Sequence, residues 1–355
     1  MIRLAKPWVG EDEQRAVAAV LESGQLVQGP EVERFESAVA ALVGRKHGVA
    51  MSSGTAALQL GLKALGTAAG DEVICPALTW PSPAHAARLN GAAVQFIDVD
   101  ADEWNPTPES FAQGRTDATR AAIVIDQFGN PARAAEIREA LGALPIIEDA
   151  ACAIGSRFAE GPCGALGVVS CMSFHPRKVL TTGEGGMCLT DDDDVADRLR
   201  VLRDHGRLGR DFVVPAGNFR MTDFAAALGL AQLRRLDEIV VRRREIAAMY
   251  RDALDGVLGL QKTPDAAVSN YQTFGAVLPA DRDRDGFVSA LRERGVESGL
   301  LSHAAHRIGS FTGKSVSLPN TEHLAKQGVA LPLYPQMRNA EVEEVIAKVR
   351  QVLHE

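Results

Sequence analysis

Seven short apolar runs, at 47–51, 72–75, 93–98, 121–125, 145–149, 168–174 and 186–190, succeed one another in this chain, with helical patterns between several of them at 54–66, 81–90 and 132–142. Strands that alternate with helices imply an α/β fold, a mainly parallel seven-stranded sheet covered on both faces. In such sheets ligands collect beyond the carboxyl ends of the strands. The residues just after each run are therefore where function is to be read.

Two amphipathic helices precede the series, at 11–22, with acidic residues in its first turn, and at 31–43, separated by the breaker Val27-Gln28-Gly29-Pro30. After it come Asp191 to Asp194, a solvated loop or helix start, and helices at 195–205 and 221–236. A long helix from Leu236 to Leu254, carrying Arg242, Arg243 and Arg244, links to a strand at 272–278, a helix at 284–294 and a closing helix at 339–353. The expected division is a large domain over 1–238 and a smaller C-terminal α+β domain over 239–355. The stretch 299–330, with Ser302, His303 and His306, has little periodicity and reads as a long loop, of a kind that is often functional.

Composition narrows the partners. The chain of 355 residues has 38 basic against 46 acidic residues, a net charge of −8 with no basic stripe, which argues against nucleic acid. A few local donors could still hold an anionic small molecule. No apolar stretch approaches the ~20 residues of a spanning helix, and the N-terminus (Met1 to Trp8) shows no signal peptide. Five cysteines, at 75, 152, 163, 171 and 188, are odd in number and form no metal-spaced pair. Reduced thiols in a cytoplasm, and no metal, are the expectation.

The strand ends carry the chemistry. After the first comes Ser52-Ser53-Gly54-Thr55-Ala56-Ala57-Leu58, a glycine turn opening a helix whose first amides suit a phosphate; Ser53 or Thr55 could equally be a plain helix cap. After the second, Trp80 could stack on a flat ligand or fill core space. The fifth ends in Glu148-Asp149, and a carboxylate facing a part-buried site needs a cationic partner, either a protonated ring nitrogen or an arginine. The sixth supplies Ser173 and then Lys178, set between a buried strand and Gly183-Glu184-Gly185-Gly186. Burial and the neighbouring Arg177 both disfavour the ammonium form there, and a neutral amine can attack a carbonyl to give a Schiff base. A phosphate cradle, a ring to stack, a carboxylate for a ring nitrogen and an imine-forming lysine, in chain order at successive strand ends, describe a pyridoxal phosphate site.

These residues resemble the DegT/DnrJ/StrS sugar aminotransferases, pyridoxal-phosphate enzymes of fold type I. The matching segments are Gln28-Gly29-Pro30 with Val32 to Glu36, Ser52 to Leu58, Cys75 to Trp80, Glu148 to Ala151, Ser173-Phe174-His175 with Lys178, Thr182 to Gly186, Gly217 to Asp223, and Leu331 to Pro335. The resemblance spans about residues 6–350. It implies that Lys178 joins the cofactor, that Asp149 pairs with the pyridine nitrogen, that Trp80 stacks on the ring, and that Ser53, Gly54, Thr55 and Ser173 hold the phosphate. Asn218 would reach the phosphate of a neighbouring subunit's cofactor, which makes a homodimer part of the site. His175, Glu184, Arg220 and Tyr334 would line the substrate region. Two departures stand out: Cys152 occupies a cofactor-contacting position where glutamine or histidine is common, and a thiol donates poorly. Asp126 stands where histidine is common, which implies a different substrate pocket.

The implied reaction moves an amino group from glutamate or glutamine to a keto sugar, one attached to a nucleoside diphosphate, with Lys178 as general base. The acceptor could also be a cyclic polyol ketone or a non-sugar ketone. A sugar dehydratase on the same scaffold carries histidine in place of the lysine, so Lys178 argues against it. Lys178 and Asp149 together argue against a non-catalytic regulator. A nicotinamide enzyme lacks its G-x-G-x-x-G turn here.

Overall fold

In the computed structural model, which describes residues 1–159, 161–311 and 316–355, the seven apolar runs pair into one sheet. Its strands are β1 (His47–Met51), β2 (Glu72–Pro76), β3 (Ala93–Ile97), β4 (Thr119–Ile125), β5 (Ile146–Asp149), β6 (Val169–Ser173) and β7 (Gly186–Thr190). Their order across the sheet is β1-β7-β6-β5-β4-β2-β3. The β3-β2-β4-β5-β6 run is parallel, and β7 is antiparallel to both of its neighbours.

Successive side chains of a strand point to opposite faces, so each run buries two sets of residues. On one face Val49, Val73, Cys75, Ile123, Ile147, Val169 and Cys171 pack with Leu58, Leu60 and Leu62 of helix Gly54–Ala64. On the other, Ala50, Met172, Met187 and Leu189 meet helices Pro30–Val43 and Asp223–Leu233, while Ile74, Ala122, Val124 and Ile146 meet helix Ala134–Leu141. Burial on both faces is why the runs are continuous and apolar rather than alternating.

Register then fixes what lies at one edge. Met51 pairs with Gly186, and Gly186 with Ser173, in one row across β1, β7 and β6. Asp149 pairs with Cys171, two residues inside that row, and with Ile125 on its other side. The Ser53–Gly54 turn, the start of β7, the end of β6 and the end of β5 thus share one end of the sheet.

A second, four-stranded antiparallel sheet runs Gly259–Leu260, Phe274–Val277, Gly328–Leu331, Gly299–Leu300. It shares a core with helices Leu236–Leu254 and Asn339–His354, through Tyr250, Phe274, Val329 and Val345. The stretch 299–330 is not one long loop. It contains two strands of that sheet, a short pairing of His303–Ala304 with Leu78–Thr79, and helix Pro319–Gln327; residues 312–315 lie outside the described ones. Among the described residues no helix is long and apolar enough to cross a membrane.

Candidate active site

Lys178 lies on the connection from β6 to β7, which folds back on itself. The Phe174 amide donates to the Gly185 carbonyl (2.9 Å), the Thr182 amide to the Phe174 carbonyl (2.9 Å) and the Lys178 amide to the His175 carbonyl (2.8 Å). Gly183 turns this loop at φ 85°, a left-handed conformation open to glycine. Phe174, Val179 and Leu180 are buried and anchor it, and they leave Lys178 half-buried between anchors.

The Lys178 Nζ donates to Cys152 Sγ at 3.1 Å. Its ammonium also acts on Asp149, which is 6% exposed. Burial pushes the Asp149 carboxyl above the usual carboxylate range; the Lys178 ammonium and the Ala151 amide (3.1 Å) pull it back, and Glu148 adds to the rise. The charge that meets Lys178 is therefore this carboxylate, whereas Arg177 is exposed and its carbonyl accepts from Gln272. Asp149 is a buried acid whose burial the Lys178 ammonium offsets only in part.

The phosphate-type cradle forms where β1 meets helix Gly54–Ala64. Ser53 Oγ accepts from the Ala56 amide (3.1 Å) and so acts as the helix cap, which leaves the Gly54 and Thr55 amides without intrahelical partners. Thr55 Oγ1 lies 2.8 Å from Ser82 Oγ. A Cβ on Gly54 would stand 2.7 Å from Ser173 Cβ and 3.0 Å from its Oγ, and one on Gly186 would strike the Ser53 carbonyl. Backbone and hydroxyls converge here because both glycines lack side chains.

Trp80 does not fill the core: it is 64% exposed just beyond β2. His303 packs edgewise on it, ring centroids 5.3 Å apart, held there by the pairing of His303 with Thr79 and by the Ala305 amide on the Ala77 carbonyl (2.7 Å). His303 and Ser82 were not singled out as site residues in the sequence. The only signal for His303 was its place in a long stretch without periodicity.

The other expected residues are placed as follows. His175 Nε2 and Glu184 Oε1 are 3.9 Å apart on the Lys178 loop. Arg220 pairs with Asp204 (3.2 Å) and donates through Nε to Asn218 Oδ1 (3.1 Å); Asn218 itself is exposed. The Ser52 amide donates to the Phe219 carbonyl (2.8 Å), which ties this segment to the cradle. Tyr334 is 7% exposed within the core of the second sheet, and burial raises its hydroxyl. Asp126 lines no substrate pocket: it is fully buried, with Oδ1 accepting from the Ala132 amide (2.9 Å).

Pyridoxal phosphate fits this donor set. Unpaired helix-start amides and hydroxyls suit its phosphate, the raised Asp149 carboxyl suits a ring cation, and the Lys178 ammonium acts on that carboxyl.

The DegT/DnrJ/EryC1/StrS aminotransferase family matches residues 7–350 of the chain. Among solved structures, an aminotransferase TlmJ from Streptoalloteichus hindustanus is 34% identical, with a TM-score of 0.94, over 100% of this chain and 99% of that one. DesV from S. venezuelae, in complex with a ketimine intermediate, is 33% identical, with a TM-score of 0.92, over 97% and 94%. A GDP-4-keto-6-deoxymannose-3-dehydratase with a trapped PLP-glutamate geminal diamine is 25% identical, with a TM-score of 0.90, over 98% and 99%.

Proposed function

Because the chain belongs to the DegT/DnrJ/EryC1/StrS family of pyridoxal-phosphate-dependent aminotransferases, we propose that it moves an amino group from glutamate or glutamine to a keto sugar carried on a nucleoside diphosphate. The observation that carries the reading is Lys178: a half-buried amine that donates to the Cys152 thiol and whose charge only partly offsets the burial of the Asp149 carboxyl. The dehydratase relative, whose named substrate is a GDP-linked keto sugar and whose crystal holds PLP with glutamate, supports both the acceptor class and the donor.

Bound here, the cofactor supplies an aldehyde carbon for imine exchange and a cationic ring that takes up electrons when a C–H bond of the donor breaks. In our reading Asp149 keeps the ring nitrogen protonated, and the ring cation in turn stabilises the buried carboxylate. Ser53, Gly54, Thr55 and Ser173 would hold the phosphate, Trp80 would stack on the ring, and Cys152 would be a further cofactor contact. Lys178 Nζ would hold the cofactor at its aldehyde carbon and, when free, would be the base placed to take the proton from the donor's α-carbon and deliver it to that aldehyde carbon. His175, Glu184, Arg220 and Tyr334 serve the sugar side.

A second copy completes the site through Asn218. The exposed apolar run beside it, with Leu208, Phe212, Val213 and Val214 at 62%, 70%, 52% and 42% exposure, supports a homodimer, since monomers rarely leave such a patch open. Five free cysteines support a reducing, cytoplasmic setting.

The test is spectroscopic. Glutamate or glutamine should convert the yellow, cofactor-loaded protein to its pyridoxamine form, and Lys178→Ala should not convert, with transfer down by ~10⁴-fold or more. Persistent yellow colour with both donors, or normal turnover by that variant, refutes the reading. Offering keto-sugar nucleotides and cyclic polyol ketones to the pyridoxamine form then identifies the acceptor.

A further inference from the structure

Behind the crevice, on the other face of β5, three buried titratable side chains meet: Asp126, Glu148 and Cys163, one ligand-type atom from each lying within 4.8 Å of the others. Their hydrogen bonds say where the protons are. The Glu148 carboxylate accepts from four donors: the Gly164 amide on Oε1 (2.6 Å), and on Oε2 the Leu166 amide (2.8 Å), the Gly167 amide (3.3 Å) and the Ser170 hydroxyl (2.5 Å). A carboxylate can serve this many donors with no proton of its own to give. Asp126 differs. It is 0% exposed, its Oδ1 takes one amide, and its Oδ2 is buried with no hydrogen-bond partner. An ionised oxygen beside another carboxylate, with only the Cys163 thiol near it as a weak donor, would be doubly unfavourable, by desolvation and by like charge. A protonated one has a donor to give and an acceptor facing it.

We propose that Asp126 is a positioning residue that carries a proton at neutral pH and donates it to Glu148, leaving Glu148 as the one anion of the cluster. Burial and Glu148 push the Asp126 carboxyl well above its usual range, outweighing the Ala132 amide and the Cys163 thiol, which act the other way, and burial and the two acids hold the Cys163 thiol up as well. The titratable groups that face Asp126 among the described residues are thus Glu148 on β5 and Cys163 on the connection to β6, and Asp149, one residue beyond Glu148, accepts the Asp126 amide on its carbonyl (3.2 Å). Two consequences follow. The ionised Glu148 fastens the stretch 164–170, and with it the start of the strand that ends in Ser173. A neutral Asp126 also spares Asp149 a second anion behind it, for Glu148 already raises the Asp149 carboxyl. That second consequence rests on the role proposed for Asp149; the proton itself does not.

The proton is read on the apoprotein, so its failure is distinct from a failure of the cofactor assignment. Infrared difference spectra at pH 7.5 between the wild type and Asp126→Asn should show a protonated carboxyl stretch that is lost in the variant and shifts in heavy water. If the variant does not fold, ¹³C-aspartate labelling of the wild type reads the same band. Asparagine keeps one acceptor for Ala132 and one donor for Glu148, so hydrogen-exchange protection over 164–170 should survive in Asp126→Asn and drop at least tenfold in Asp126→Ala. The sign of the pH dependence follows from a carboxyl raised on folding: its contribution is full below its unfolded pKa, about 3.9, and is lost as pH rises through the folded value. The melting temperature of Asp126→Asn should therefore gain on the wild type as pH rises from 4 upward. A missing band, a gap that closes with pH, equal protection in the two variants, or one metal ion per chain would each overturn the assignment.

Discussion

Glu148 and Asp149 are adjacent residues of one strand, the same kind of acid, at 1% and 6% exposure, yet they do opposite things. Glu148 points into a closed region where four donors satisfy it. Asp149 meets one amide and the Lys178 ammonium, which hold it back incompletely, and its carboxyl is pushed up by burial. Burial alone does not separate structure from function in this molecule; the balance of donors against acceptors does. A complete set of partners marks scaffold, and an incomplete one suits a place where a ligand could bring the missing charge.

Three substitutions sharpen or break that contrast. The largest effect is expected from Glu148→Gln, which puts an NH2 group where amide donors converge and leaves the cluster without its anion. Loss of ~3–5 kcal/mol of unfolding free energy is expected in denaturant titration, and a loss below ~1 kcal/mol would show that Glu148 is not the satisfied partner described. Asp149→Asn should do the reverse. Amino transfer falls by about 10²–10³-fold, as for loss of a group that holds a proton in the reaction, while the apoprotein becomes more stable. Because burial raises the Asp149 carboxyl, its contribution is present below the unfolded value of about 3.9 and lost as pH climbs through the folded value. The advantage of the asparagine variant should thus grow with pH and then level off in thermal melts, and an apoprotein less stable at pH 7 than the wild type contradicts this. The smallest effect is expected from Gly54→Ala. The added methyl meets Ser173 at 2.7 Å, overpacking worth about 1–3 kcal/mol, partly offset by the ~1 kcal/mol helix preference of alanine over glycine. A drop in cofactor affinity of tenfold or more with little change in melting temperature would locate the methyl at the cradle.

The large sheet was legible because its strands are buried on both faces and so stand out as continuous apolar runs; β1 and β7 begin and end at the residues expected. The second sheet was only partly legible. Its strands Gly259–Leu260 and Gly299–Leu300 are two residues long and start at glycine, too little pattern to register, and Gly328–Leu331 follows a stretch without periodicity. Helix Pro319–Gln327 was missed for another reason. Its start is fastened from far upstream by Asp98, which accepts from the Asn320 amide (3.0 Å), the Thr321 amide (2.8 Å) and the Thr321 hydroxyl (2.7 Å). Tertiary capping of this kind leaves no mark in the local sequence. The same holds for the crevice: Lys178 and Asp149 announced themselves at strand ends, whereas Asp126 gains its character only from Glu148 and Cys163, which chain order does not place beside it.

The reversed direction of β7 has one more consequence. Since β6 arrives at the crevice and β7 leaves from it, residues 174–185 form a single hairpin clasp whose two roots are Ser173, on the rim of the anion cradle, and Gly186, pressed against Ser53. Amine and cradle are therefore parts of one cassette with a fixed contour length. Grafting that clasp whole should carry the lysine's aim with it, whereas inserting a residue between Lys178 and either root would detune the spacing of the two while the surrounding sheet stays intact.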